Sequence, residues 1–131
     1  MSTIRADNIG PSDGGTTTDL LSGLSKAWVN FDGVAGTLSA RKSFNISSLT
    51  DNGTGHYQSN FTNSFSDANF VTSDGSSTYG TARLIGLTGN GYTQTTSSRD
   101  ANYGTSTNTV SGGMLVYDPY YILISIHGDL A

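Results

Sequence analysis

The amino-acid sequence predicts an all-β fold, an antiparallel β-sandwich or jelly-roll-like domain preceded by a short extended arm and assembled as a trimer. Three observations carry that expectation. The 131 residues are rich in Gly, Ser, Thr and Asn and contain no glutamate, so the chain has few good helix formers. Short runs of period-two alternation recur along it, separated by turn signals every eight to twelve residues or so. The charged fraction is 12% and the hydrophobic fraction 34%, too little apolar burial for a self-sufficient body of this size, and association supplies the remainder.

Residues 1–25 read as an attachment arm. Thr3–Ile9 has the look of a short strand with Ile4 on one face and Ile9 on the other. Gly10-Pro11-Ser12-Asp13-Gly14-Gly15 then breaks regular structure. Thr18–Leu24 is expected to form one helical turn, capped by Thr18 or Asp19 and ended by Gly23. Ile4, Ile9, Leu20, Leu21 and Leu24 are the candidate docking residues, since apolar side chains on a glycine-broken tether cannot close a core of their own. The segment has neither the apolar run of a transmembrane span nor the charge pattern of a signal peptide.

Residues 26–131 form the expected domain, with strands near 26–32, 36–40, 42–49, 56–63, 69–74, 81–88, 91–97, 107–112, 114–118 and 120–127. In the first strand, Trp28 and Asn30 share one face and Val29 and Phe31 the other, and Trp28 is expected in the core. Tyr57, Ser59 and Phe61 alternate with Gln58, Asn60 and Thr62. Turns are expected at Asp32-Gly33, Asp51–Gly55, Asp74-Gly75, Gly89–Gly91, Gly112-Gly113 and Asp118-Pro119. The last strand, Tyr120–Ile126, is apolar on both faces, and such a strand must be covered on both sides.

The segment KAWVNFDG at Lys26–Gly33, the R-x-S-F-N-I-S-S-L-T-D-N-G-x-G block at Arg41–Gly55 and Tyr57–Phe61 resemble a module of tailed-bacteriophage tail-fibre and other virion surface proteins. Asp67-Ala68-Asn69-Phe70 and the closing Gly128-Asp129 extend the resemblance over roughly residues 24 to 131. It implies a structural role on a virion surface, with synthesis in a bacterial cytoplasm and other virion proteins as partners. Tail-fibre tip, head fibre and capsid decoration are the placements it leaves open, and a free-standing bacterial carbohydrate-binding module is the alternative outside phages.

The residues point away from several other classes. Net charge is −4, all ten acidic residues are aspartates, and the six basic residues are dispersed, so no stripe exists to meet nucleic-acid phosphates. Without cysteine there is neither a disulfide framework nor a thiol nucleophile. The one G-x-S-x-G string, Gly10–Gly14, falls in the Gly/Pro break of the arm rather than at a strand-to-helix elbow, and His56 and His127 lack an evident nucleophile and orienting acid, so a non-enzymatic role is expected. The aspartates sit mostly beside Gly, Asn or Ser in turns, and Asp51–Gly55 lacks a full set of oxygen ligands, so no metal or other cofactor is expected. Tyr79, Tyr92 and Tyr103, placed in Gly/Ser/Thr/Asn-rich stretches, are the candidate contacts to a host-surface glycan.

Overall fold

The computed structural model describes residues 8–10, 13–16, 18–19, 23–77, 93–106 and 114–131. Its elements are the strands β1 (Asn8–Ile9), β2 (Thr18–Asp19), β3 (Ala27–Phe31), β4 (Ala40–Phe44), β5 (Ile46–Gly53), β6 (His56–Phe61), β7 (Val71–Ser77), β8 (Ser98–Asn102), β9 (Gly104–Ser106), β10 (Met114–Val116) and β11 (Tyr121–His127). The fold is all-β. Two antiparallel sheets build the body, a four-stranded one in the order β4-β3-β11-β7 and a three-stranded one in the order β5-β6-β8. Two small ladders, β1–β2 and β9–β10, accompany them. Thr18 and Asp19, the expected cap, pair with Ile9 and Asn8, and Gly23, the expected end of the helical turn, is helical.

One core unites the two sheets. Ala27, Val29 and Phe31 from β3 and Ile122, Ile124 and Ile126 from β11 meet Tyr57 and Phe61 from β6 and Ala101 from β8. The period-two pattern of β6 is inward at Tyr57, Ser59 and Phe61, as the alternation predicts. In β3 the inward set is Ala27, Val29 and Phe31, and Trp28 lies outside at 38% exposure. The expectation of a core tryptophan is thus corrected: Lys26, Trp28 and Asn30 share a parity, and the two polar members hold that parity at the solvent side.

The expected strand at 42–49 is two strands in two sheets. Between them Asn45 adopts φ 57°, a left-handed conformation that asparagine tolerates better than most residues. Its Oδ1 accepts from the Asn63 backbone N–H at 2.7 Å, and its Nδ2 donates to the Asn63 carbonyl at 3.1 Å. A single residue thereby carries the chain from the edge of one sheet to the edge of the other. Downstream, the Asp51–Gly53 part of the expected turn continues β5 through a bulge, and Thr54-Gly55 makes the turn itself.

The Asp74-Gly75 turn is also corrected, because both residues lie inside β7 and pair with Ile124 and Leu123. β8 occupies a stretch expected to be loop, and residues 36–39 are loop where a strand was expected. Strands expected at 81–88 and 107–112 lie outside the described residues.

Each end of the body is closed differently. At one end Phe61, Phe65 and Phe70 stack with ring centroids 4.7–5.6 Å apart. At the other, the Tyr57 hydroxyl donates to Asp118 Oδ1 at 2.6 Å, and the Gly55 N–H donates to the same oxygen at 2.7 Å. Gly33 fits this knot only because it lacks a side chain, since a Cβ there would stand 2.6 Å from the Tyr57 hydroxyl and 2.8 Å from the Pro119 carbonyl oxygen. A buried polar centre sits between the ends: Arg99 from β8 meets Asp74 from β7 in an ion pair, and the Tyr103 hydroxyl lies 3.4 Å from Arg99 Nη1. Burial pushes the Asp74 carboxyl above its ordinary range against the opposing pull of Arg99, and burial likewise raises the Tyr103 phenol.

Candidate binding face on the four-stranded sheet

Filling the inner face of the four-stranded sheet leaves its alternate residues outward. Register places Trp28 opposite Phe44 on one side and Ser125 on the other, and Ser125 opposite Ser73. The neighbouring row is Lys42, Asn30, Leu123 and Gly75. Phe44, Leu123 and Tyr121 are 51%, 47% and 44% exposed, so the outer face is apolar at its middle. β4, at the edge, carries Arg41 and Lys42, charges of the kind that discourage strand addition. Arg41 is itself held over the Tyr120 and Tyr121 rings, at 4.8 and 4.4 Å, by an ion pair to Asp32 at 2.8 Å.

The central feature of this face is a groove of about 400 Å³ bordered by Trp28, Asn30, Ser73, Gly75, Leu123 and Ser125. Gly75 keeps it open, because even a Cβ at that position would reach ordinary contact with Leu123, at 3.6 Å. Ser73 and Ser125 are small, and Trp28 stands in their row. Asp74 borders the groove as well, but its carboxylate is turned inward to Arg99 and is 7% exposed. The described lining therefore offers an indole, an amide and hydroxyl groups, and no exposed charge.

A second hollow, of about 310 Å³, opens on the flank where β4 and β5 part company. Leu38, Ile46 and Leu49 lie there, half-buried against the core. Serines at 39, 43, 47 and 48 surround them.

The sequence-derived candidates distribute unevenly over this geometry. Tyr103 is fully buried, with its hydroxyl engaged beside Arg99 and Asp74, and it presents no ring to a glycan. That assignment is corrected. A tyrosine in a glycine- and threonine-rich stretch satisfies its apolar ring best inside when a buried polar partner is available for its hydroxyl. Tyr79 and Tyr92 lie outside the described residues, as do Ile4, Leu20 and Leu21. Of the arm, the Ile9 backbone lies in β1, and Leu24 is 53% exposed.

The histidines fall in two separate places. His56 Nε2 lies 2.7 Å from Asp100 Oδ1 on the three-stranded sheet. His127 Nε2 lies 3.3 Å from Ser125 Oγ, which donates to Ser25 Oγ at 3.1 Å. Ser25 in turn donates to the Ala27 and Ile126 carbonyls, so this chain of hydroxyls fastens the start of β3 to the end of β11. Among the described residues no hydrogen bond or ion pair joins His127 to a carboxylate, and none gathers three His, Cys, Asp or Glu side chains about a point. The Asp51 carboxylate accepts from the Gly53 N–H at 2.9 Å, a local turn contact.

Comparison with known proteins finds no family model, no curated protein and no solved structure that matches the chain.

Proposed function

We propose that this chain is a non-enzymatic structural protein on the surface of a tailed-phage virion. It acts as a small homotrimeric fibre or decoration, attached to the particle through residues 1–25 and projecting residues 26–131 as a β-sandwich. The observation that carries the reading is how the resembling segments meet in space. Lys26–Gly33, Arg41–Gly55 and Tyr57–Phe61 contribute β3 to β6 and thus strands to both sheets. The separated Asp67–Phe70 and Gly128-Asp129 segments adjoin as well, with the Ser66 N–H donating to the Asp129 carbonyl at 2.8 Å and Gly128 seated against Phe70. The resemblance thus follows one physical body rather than scattered short matches.

Self-association is supported by the flank between β4 and β5, where Leu38, Ile46 and Leu49 sit partly uncovered. A neighbouring copy placed there extends the core that the thin apolar composition leaves small. The arm supplies the particle contact. Its apolar side chains are buried on docking, which contributes roughly 25 cal/mol per Å².

Complementation tests the reading. Particles assembled with the full chain are expected to contain it on a gel, and particles assembled with residues 1–24 deleted are expected to lack it. Substituting Leu20 and Leu21 by Asp reproduces most of that loss, since a charge in an apolar dock is costly. Normal incorporation of the truncated chain would put the attachment surface on the β-domain instead.

A further inference from the structure

We propose that the groove on the outer face of the four-stranded sheet is a binding site for a neutral glycan, with Trp28 as its stacking platform. The chemistry of the lining selects the ligand. A pyranose ring has an apolar C–H face and a rim of hydroxyls. It therefore asks for one flat aromatic surface beside a few hydrogen-bonding groups, and gains nothing from charge. Trp28 supplies the surface, and Leu123 extends it. Among the described residues no hydrogen bond engages Ser73 Oγ or Asn30 Nδ2, so both are available to ligand hydroxyls on opposite sides of the groove. The one carboxylate in the lining residues, Asp74, is withdrawn into the core by Arg99, which leaves the floor neutral.

Size separates this occupant from a second copy of the chain. A stable protein interface takes about 800 Å² from each partner. The outer face spans four strands at about 4.8 Å spacing, β3 and β4 of five residues and β7 and β11 of seven, at about 3.3 Å rise, roughly 14 Å by 17 to 23 Å in outline. The volume of about 400 Å³ falls instead within the range of small-molecule sites, roughly 300–1,000 Å³. Apolar atoms make up most of the groove's open surface, with Asn30 and Ser73 at its two sides, which suits the C–H face and hydroxyl rim of a sugar ring.

Trp28 is the single tryptophan of the chain, so intrinsic indole fluorescence reports on this groove directly. The full-length protein is titrated with cellotetraose, maltotetraose and a β-galactan tetraose, chosen to present equatorial and axial hydroxyls in different patterns. At least one is expected to give a saturable blue shift. Gly75→Val, which fills the groove from its floor, and Asn30→Ala, which removes a hydrogen-bonding amide, are each expected to weaken that binding about tenfold or more. Both variants should keep the strand signal by circular dichroism. Should Gly75→Val fail to fold, Asn30→Ala with Ser73→Ala serves in its place.

The absence of a saturable shift with all three sugars overturns the proposal. So does a shift left unchanged by the groove variants. A blue shift that depends on protein concentration alone overturns it too, by assigning the face to self-association. The titration uses purified protein and needs no particle, so it fails or succeeds separately from the virion reading.

Discussion

The Asp74 carboxylate and the Arg99 guanidinium meet inside the core, their side chains 7% and 1% exposed, and so tie β7 of one sheet to β8 of the other. Their cross-strand neighbours show what surrounds them: Asp74 stands opposite Ile124, and Arg99 opposite Ser59. A buried pair of this kind is costly to break and cheap to replace. Arg99→Met, which strands the carboxylate, is expected to cost about 3–5 kcal/mol. The double variant Asp74→Leu with Arg99→Met is expected to recover most of that loss. Urea denaturation of the wild type, the two single variants and the double variant measures the coupling, and a single variant as stable as wild type would remove the pair from the core's energetics.

Alkali should destabilise the fold through its tyrosines. Burial holds the Tyr57 and Tyr103 phenols above the ordinary 10.0, and at Tyr57 the hydrogen bond to Asp118 adds to the effect. The folded chain then keeps protons that the unfolded chain releases. The contribution is fully present below about pH 10 and is lost as pH rises past it. Melting temperature followed from about pH 8 to 12 should fall more steeply above pH 10, and Tyr103→Phe should flatten that fall. An identical slope in the variant would mean that Tyr103 ionises as readily in the folded state as in the unfolded one.

Asn45 is the hinge between the sheets, and two different costs can be separated there. Asn45→Gly keeps the left-handed conformation and loses the bonds to Asn63. Asn45→Ala loses both, and the added backbone strain is about 1–2 kcal/mol. Thermal unfolding should therefore rank the wild type above Gly and Gly above Ala. Equal stability of Gly and Ala would show that the conformational term is negligible.

Alternation locates β3 and β6, whose inward residues are Ala27, Val29 and Phe31 and Tyr57, Ser59 and Phe61, and the apolar run alone locates β11. Alternation did not decide which face of β3 is inward, and the bulk of Trp28 outweighed the testimony of Lys26 and Asn30. β8 was illegible for a physical reason. Its inward residues are Arg99 and Ala101, and an arginine reads as surface until its partner Asp74 is known to be buried opposite. Asp74-Gly75 misled in the complementary way: a dipeptide typical of turns lies in mid-strand because the aspartate is the ion partner and the glycine opens the groove beside Leu123. The candidate binding face depends on register across three strands, which no local pattern encodes.

The domain is expected to associate without the arm. Lys26 and Ser25 bond to Ile126, so a chain beginning at Ser25 retains the contacts that fasten β3 to β11. Multi-angle light scattering of residues 25–131 should give a trimer at micromolar concentration. Substituting Ile46 and Leu49 on the flank by Asp should reduce it to a monomer, whereas a monodisperse monomer in the unsubstituted fragment would contradict association through the β-domain.

The most direct test of the central claim is to image purified particles carrying an electron-dense label fused at Ala131, made in cells that produce the chain with its companion virion proteins. A trimeric surface protein places label at regular positions on the outside of the particle, in clusters of three. Intact particles without label, from cells in which the labelled chain is abundant and soluble, would contradict the claim.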